Sequence, residues 1–423
     1  MTISRLLPSV FLIFSGAASL AAEPLALDQA ISFALAHNRD LAAATLEAEA
    51  ARGRVDQAGL RPNPALEAGA QTDLLTGNNG ARKFDLGVNQ AIPLGHRLRE
   101  AQAVARVGIG AASAALADRQ RRLAGEITRL YVELLALDQQ VGLRDRQIRI
   151  NAHFVELARA RAQAGEVSVI EVNAAALEQA RLGQERASLL AERSNQLQNL
   201  KALLGYSPEE DLQISGGLDA LADTLNARGE GGGAAWNRPD LRLAVLAIDR
   251  IDAEQRLARA EAKGDLTLGA TYGYDRQASG DPAHLLGVKM SLPLPLRNQN
   301  EGRLRELRAE RTRAEREAAA LEFRVTAEVA TARVRSAQSR QIMESYRTAV
   351  LPLGEDAERS LVAAYQQGQV PLFQVIQAQQ QHLALESGAV TAKAAYLLAL
   401  ADLQTATGQT PQLASAPAAE ATP

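Results

Sequence analysis

The five histidines are the side chains of this sequence best suited to hold a transition metal, because the chain has no cysteine. Metal sites bring together imidazoles or thiolates, often from residues four apart on one helix. His37, His96, His153, His284 and His382 are widely separated, and no two have that spacing. The sequence therefore predicts no resident metal site.

Catalytic motifs are likewise missing from the sequence. There is no G-x-S-x-G, no Walker loop and no dinucleotide-binding glycine pattern between a strand and a helix. Carboxylates are abundant, but they alternate with arginines at helical spacing, which is typical of paired charges on a helix surface. We therefore predict that the chain is not an enzyme, that it has no catalytic residues and that it binds no cofactor.

Composition favours long helices. Alanine, leucine, arginine, glutamate and glutamine dominate the 423 residues, and aromatic residues make up only 4%. The net charge of −3 does not favour nucleic acid, which requires a basic surface.

The N-terminal stretch 1–21 has the pattern of a cleaved signal peptide. Arg5 precedes an apolar run over 6–18, and Ser19 and Ala21 form a small-x-small cleavage site. We therefore expect the mature chain to be exported. Because the chain has no cysteine, we expect no lipid anchor on that residue. No later segment has ~18 consecutive apolar residues, so we expect no transmembrane helix and any membrane crossing must use β-strands.

The two halves of the chain repeat each other. "LGVNQAIPL" at 86–94 returns as "LGVKMSLPL" at 286–294, and "QAGEVSVIEV" at 163–172 returns as "QQGQVPLFQV" at 366–375. We predict a first repeat over 22–206 and a second over 238–408. The Gly-rich segment 207–237 is then a connector, and 409–423 is a disordered tail.

Each repeat is predicted to contain a helix, two strands, a very long helix, a tight turn and a return helix. The strands are expected at about 65–75, 83–92, 264–275 and 285–293, where apolar and polar residues alternate. The long helices occupy 95–164 and 297–351, with a kink at Pro352 before the second resumes to about 366. The return helices follow at 170–204 and 372–407. A helix of this length extends roughly 100 Å.

One face of the four strands is polar, and the other is apolar. About ten residues of alternation match a tilted outer-membrane strand. Four strands cannot close a barrel, whereas three chains would supply about twelve. The polar face would then line the barrel lumen with Glu67, Gln71, Asp73, Asp265, Thr267, Thr271 and Lys289.

The duplicated layout resembles the TolC-type outer-membrane efflux family. "VDQAGLRPNPALEA" at 55–68, "IPLGHRLREAQA" at 92–103 and "LPLPLRNQNEGRL" at 292–304 are similar to its cobalt–zinc–cadmium resistance branch. The resemblance implies a mainly α fold with a small β part, in which four strands per chain form a 12-stranded barrel in a homotrimer. Long antiparallel coiled-coil helices then form a periplasmic tunnel. It also implies two partners, a periplasmic membrane-fusion adaptor and an inner-membrane resistance–nodulation–division pump, and it implies export of divalent heavy-metal cations.

The resemblance gives roles to the two turns between long helices. They become the periplasmic tips, and the residues that would contact the adaptor are Gly165, Val167, Ser168, Gly368, Val370 and Pro371. The periplasmic gate would involve Gln374 and Gln377, where relatives often carry aspartate, together with Glu171. Glutamine does not concentrate cations as a carboxylate does, so this departure puts cation selectivity at the gate in doubt.

Several alternatives stay open at this point. The same channel could serve drug or organic-solute efflux, or type I secretion. A periplasmic coiled-coil adaptor also has helical hairpins, but one per chain and with compact β-domains. An enzyme on a helical scaffold lacks a site.

Overall fold

A computed structural model describes residues 24–72, 81–229, 234–276 and 281–409. The predicted signal peptide 1–21, strand residues 73–75 with Asp73, and residues 410–423 of the predicted tail lie outside the described residues.

The first half of the chain has six elements. They are α1 (Leu27–His37), α2 (Arg39–Ala58), β1 (Ala65–Thr72), β2 (Arg82–Pro93), α3 (Arg97–Gln163) and α4 (Val169–Leu204). The connector contributes α5 (Leu218–Ala227) and a 3₁₀ turn (Ala234–Asn237). The second half contains α6 (Pro239–Glu261), β3 (Asp265–Arg276), β4 (Ala283–Ser291), α7 (Glu301–Ser345), a π-helical turn (Tyr346–Val350), α8 (Leu351–Gln366) and α9 (Leu372–Ala406). The chain is thus mainly helical with a small sheet, as the sequence predicts.

Most element boundaries agree with the prediction within a few residues. The last strand, β4, begins and ends two residues earlier than predicted. Helix α1 was not predicted at all. Its Leu27, Ala30, Ile31 and Ala34 are buried, and it packs against α3 and α4.

The four strands form one antiparallel sheet in the order β1-β2-β3-β4. The register joins Leu66 to Val88, Val88 to Ala270, and Ala270 to Val288. The strands β1 and β4 form the two edges, and each therefore has one side with unpaired backbone groups in the single chain.

Helix α3 is the central element of the helical part. It packs against α2, α4, α6 and α9. Its middle is therefore buried on more sides than it would be in a coiled coil of two helices. Tyr131 shows this, because its hydroxyl lies 2.8 Å from the carbonyl O of Leu25 and 2.5 Å from that of Ser215. Leu25 also forms a parallel bridge with Ile214, so the connector and the start of the chain are tied to α3.

The repeat is visible in how each return helix ends. The side-chain amide of Asn38 donates to the carbonyl O of Leu203 at 2.8 Å, and the guanidinium of Arg238 donates to that of Ala406 at 2.9 Å. Asn38 and Arg238 precede α2 and α6, respectively. Each return helix therefore abuts the helix that opens its half, because the last carbonyls of a helix need outside donors.

A wider helical turn lies just before Pro352, where the sequence predicts a kink. The backbone N–H of Leu351 donates to the carbonyl O of Tyr346, five residues back. Proline has no N–H and its ring crowds the preceding turn, so a π-turn accommodates it without ending the helix.

Helix α9 is the one helix in the described part of the chain that is long and apolar enough to cross a membrane, although no such helix was expected. Of its most apolar stretch, 44% is buried, and α9 packs against α3, α7 and α8. These contacts are those of a core helix.

Arg238 forms a buried junction at the end of α9. It donates to Asp240 at 2.8 Å and to Glu328 at 2.9 Å, while Arg121 lies 4.0 Å from Asp240. Burial raises the pKa of Asp240, but the hydrogen bonds and charge of Arg238 outweigh it, and the pKa is lowered.

Arg238→Ala is expected to lower the free energy of unfolding by about 3 kcal/mol, because it removes the main partner of the half-buried Asp240 and leaves only the more distant Arg121. The contribution of Asp240 is fully present above its unfolded pKa of about 4 and is lost as pH falls through the lower folded value. Thermal unfolding in detergent measures both effects. Arg242→Ala, at an exposed position on the same helix, is the control and should change stability little. Equal stability of the two variants would contradict the junction.

Candidate functional site

The register places the predicted lumen residues on one face of the sheet. Glu67, Thr271 and Lys289 lie on this polar face, as do Gln71 and Thr267. Asp73 lies outside the described residues.

Asp265 marks the end of the polar face nearest the helices. It begins β3, and its carboxylate lies 3.0 Å from the guanidinium of Arg97, at the start of α3. This ion pair joins the sheet to the longest helix of the chain.

Glycines alternate with the larger residues on the polar face. A Cβ added to Gly87 would lie 2.8 Å from Cγ2 of Thr271, and one added to Gly287 would lie 2.7 Å from Oγ1 of Thr271. At Gly269 the added atom would collide with Asn89 at 2.0 Å. Crowding of this kind is expected on the concave side of a curved sheet. The glycines stand in the sequence at alternating strand positions, but their meaning appears only with the register.

The opposite face of the sheet is apolar and uncovered in the single chain. Leu286 and Val288 are each 90% exposed, Leu66 is 72% exposed and Met290 is 70% exposed. A contiguous apolar surface of this kind requires a partner or a membrane. We refer to it below as the outer face.

Gln90 is a polar residue within the apolar part of the outer face, and its contacts explain its position there. Its side-chain amide donates to the carbonyl O of Pro62 at 2.9 Å and to that of Ala91 at 2.8 Å. The amide nitrogen is therefore satisfied by backbone, and Gln90 can stand opposite Leu268 among apolar neighbours.

Aromatic side chains mark the outer face at the end far from the helices. Phe84, Tyr274 and His284 share one register row, and the rings of Phe84 and Tyr274 are 6.4 Å apart. The hydroxyl of Tyr272 lies 2.5 Å from Nδ1 of His284. Such a row is typical of the interface between lipid tails and headgroups.

The two helical turns opposite the sheet are built alike. Gly165 and Gly368 have φ values of 77° and 73°, in the left-handed region that glycine favours. After each, a backbone N–H reaches back to close the preceding helix, from Glu166 to Arg161 O and from Gln369 to Ala364 O, both at 2.9 Å.

The helices after these turns begin differently. The hydroxyl of Ser168 accepts from the N–H of Ile170 at 3.0 Å, so Ser168 caps α4 as expected. Pro371 is itself the cap residue of α9, not part of the first helical turn, because its extended ψ of 155° precedes the helix.

An apolar cluster joins the two turns to each other. It contains Phe154, Val155, Ala158, Ala175, Tyr365, Leu372, Val375 and Ile376. Val370 is half-buried and packs against this cluster, and Val167 is also half-buried. The guanidinium of Arg161 stacks 4.9 Å from the ring centre of Tyr365. The two hairpins therefore meet at their tips through a shared core.

The sequence reasoning missed the exposed apolar side chains at the tips, where Val169 is 68% exposed beside Ile170. Ile170 is 78% exposed and Phe373 is 63% exposed, although each lies beside the buried cluster. They occupy the same place in the two repeats, one residue after the first residue of α4 and of α9. The alignment of "VIEV" with "LFQV" shows that both positions are apolar, but not that they are exposed.

The predicted gate residues lie just beyond the tips. The side chains of Gln374 and Gln377 are exposed and make no hydrogen bond within the described ranges of the chain. Glu171 is half-buried in the first turn of α4, where the helix dipole favours a carboxylate. The structure thus leaves the two glutamines able to reach a neighbour.

A polar contact links the hairpins one step further from the tips. The amide of Gln380 on α9 donates to Glu178 on α4 at 2.6 Å, and Arg181 lies 2.6 Å from the same carboxylate. Burial raises the pKa of Glu178, but these bonds outweigh it and the pKa is lowered. Any separation of the hairpins must break this contact.

The histidines do not converge on a metal site. Within the described ranges, no group of three or more histidine, aspartate or glutamate side chains is arranged to hold a metal ion.

Gly368→Ala is expected to destabilise the second tip by about 1–2 kcal/mol, because alanine is strained at positive φ. No atom lies within 4 Å of the added Cβ, so backbone strain alone is tested. Gly183→Ala, on the exposed face of α4, also meets no atom but should stabilise its helix by about 0.5–1 kcal/mol. Hydrogen exchange at the tip amides measures the difference. Equal exchange in both variants would show that the tip does not depend on this conformation.

Comparison with known proteins places these features in context. Residues 30–206 match the family described as outer membrane efflux protein. The cobalt-zinc-cadmium resistance protein CzcC of Cupriavidus metallidurans is 25% identical over 364 residues, covering 85% of this chain and 84% of that protein. The pyoverdine export outer membrane protein OpmQ of Pseudomonas putida is 26% identical over 374 residues, covering 80% of this chain and 70% of that protein.

A solved structure of CusC, studied for its folding and transmembrane channel formation, superposes with a TM-score of 0.73 at 19% identity. The match covers 90% of this chain and 92% of that one. This similarity establishes the fold.

Proposed function

Because this chain belongs to the outer membrane efflux protein family and is an outer-membrane channel with a TolC-like fold, we propose that it is the passive exit duct of a tripartite resistance–nodulation–division efflux system. The family consists of transport ducts, and the chain is not an enzyme. The observation that carries the proposal is the two-faced sheet, with an exposed apolar outer face and a crowded polar face.

The barrel is closed by three copies of the chain. Backbone groups left unpaired at β1 and β4 would cost several kcal/mol each in lipid, so these edges must be joined to other strands. Two chains would give about eight strands, a barrel filled by its own side chains, whereas three would give about twelve and an open lumen. The polar face then lines water.

The helical tips meet a periplasmic adaptor, which connects the duct to the inner-membrane pump. Gly165, Ser168, Gly368 and Pro371 shape the two turns, and Val167 and Val370 complete the predicted contact set. Ile170 and Phe373 join it, because exposed apolar side chains at matching places suit a docking surface. A role as an adaptor itself is disfavoured by the paired sheet and the duplicated hairpin.

The cargo that we propose is a divalent heavy-metal cation. The support is the similarity to CzcC over most of both chains. The similarity to OpmQ, a pyoverdine export protein, supports an organic cargo as the second candidate. Type I secretion has no specific support among these relatives.

The experiment that separates the cargo classes uses a deletion strain. Loss of the gene should increase sensitivity to cobalt, zinc or cadmium, tested one metal at a time, and leave sensitivity to organic toxins unchanged. Expression of the chain from a plasmid should restore metal tolerance to the deletion strain. If metal tolerance is unchanged and sensitivity to organic compounds increases, the cargo is an organic compound and not a metal cation.

The gate prediction concerns charge at the tunnel mouth. Replacing Gln374 and Gln377 with aspartate would place two carboxylates per chain at exposed positions, so cation preference should rise several-fold. Reversal potentials in planar bilayers under a salt gradient measure this preference. Gln366→Glu, exposed at the end of α8, is the charge control. No change in preference would show that residues 374 and 377 do not line the mouth.

A further inference from the structure

Two arginines face each other on the outer face of the sheet. Arg82 of β2 and Arg276 of β3 are directly opposed in the register, and both are exposed. Like charges directly opposite each other destabilise a strand pair. Neither guanidinium has an ion-pair partner among residues 24–72, 81–229, 234–276 and 281–409. Within the part of the chain that the structure describes, no anion compensates this pair.

The position of the pair along the strands defines its surroundings. It lies two register positions beyond Phe84, Tyr274 and His284, the aromatic row of the outer face, and is the next pair on that face. From Ile92 to Arg82 the outer face extends ten residues, or about 34 Å along the strand. At the usual tilt of about 40° this corresponds to about 26 Å across the membrane, close to the height of the apolar band of an outer-membrane barrel. The arginines thus lie at the level of lipid headgroups.

The pair faces the outer leaflet. The strand ends at Arg82 and Arg276 are far from the helices, whereas the opposite ends of β2 and β3 adjoin α3 and α6. If the helices form the periplasmic tunnel, the arginines lie on the extracellular side. This step rests on the proposed function.

We propose that Arg82 and Arg276 bind the phosphate group of a lipid in the outer leaflet, with the aromatic row packing against the top of its acyl chains. Two guanidinium groups from adjacent strands can each donate two hydrogen bonds to phosphate oxygens. The phosphate neutralises the opposed charges. The result is a lipid-binding site on each chain, three in the closed barrel.

The test uses the full-length mature protein, delipidated in detergent and mixed with diphosphorylated lipid A or with the same lipid after dephosphorylation. Native mass spectrometry counts the lipids retained. The wild-type chain should retain the phosphorylated lipid preferentially, and Arg82→Gln or Arg276→Gln should each weaken retention by about fivefold. Arg82→Lys and Arg276→Lys, which keep the charge, should retain the preference in part and show that the site is still folded.

Lys83→Gln is the matched control, because Lys83 neighbours Arg82 in sequence but lies on the polar face, 3.6 Å from Asp85. It should bind the lipid as wild type does. Equal binding in the arginine variants, equal loss in Lys83→Gln, or no preference for the phosphorylated lipid would overturn the proposal. Variants that still reach the outer membrane yet bind lipid normally would remove only this inference, whereas a wild-type chain missing from the outer membrane would remove the proposed function itself.

Discussion

Leu286→Arg should prevent the chain from assembling in the outer membrane. Leu286 is 90% exposed at the middle of the outer face, beside Tyr272 in the register. An arginine facing lipid near the bilayer midplane costs about 2–4 kcal/mol, and a trimer would incur that cost three times. The expected result is loss of the heat-labile trimer from outer-membrane extracts, with loss of efflux.

Glu67→Arg is the matched control for this experiment. Glu67 lies in the adjacent register row, at nearly the same depth, but on the polar face. If that face lines water, the arginine is hydrated and assembly should be preserved. Assembly of Leu286→Arg together with failure of Glu67→Arg would reverse the assignment of the two faces.

Ile170→Asp and Phe373→Asp should abolish efflux without affecting assembly. Each exposed apolar side chain can contribute about 1.5–3 kcal/mol when it is buried against a partner, and a trimer presents three copies of each. The variants should form normal trimers in the outer membrane, yet pull down much less adaptor and fail to restore tolerance in the deletion strain.

Gln367→Glu is the control for the effect of charge alone, because Gln367 is exposed at the tip, next to Gly368. This variant adds a carboxylate but keeps both apolar side chains, so adaptor binding should persist. Normal adaptor binding by Ile170→Asp and Phe373→Asp would show that the tips dock through other residues.

The two faces of the sheet could be predicted from sequence because a strand has a side-chain period of two. Leu286, Val288 and Met290 alternate with Lys289 and Ser291, and the register retains that alternation across all four strands. The ends of the strands were less predictable, because the residues next to β4 also fit the alternating pattern of a strand.

The tips were predictable for a different reason. Gly165 and Gly368 recur at the same place in the two repeats, and positive φ explains why both are glycine. Exposure of Ile170 and Phe373 could not be predicted, because "VIEV" and "LFQV" read equally well as buried residues of a first helical turn.

Long-range contacts account for what the sequence reasoning missed. Helix α1 is stabilised by packing on α3 and α4, and Tyr131 joins segments near residues 25 and 215. The crowding of Gly87 against Thr271 depends on two strands that come from different halves of the chain. No local pattern contains this information.

Closure of one barrel by three chains is the central claim, and cysteine cross-linking tests it most directly, because the chain has no native cysteine. Ala68→Cys on edge strand β1 would be combined in turn with His284→Cys, Leu286→Cys, Val288→Cys or Met290→Cys on edge strand β4. Within one chain these edges are separated by β2 and β3, so a disulfide must join two chains. We predict that one pairing gives a ladder on denaturing gels that ends at the covalent trimer. No cross-link in any pairing, or a ladder that ends at the dimer or continues beyond the trimer, would contradict the account.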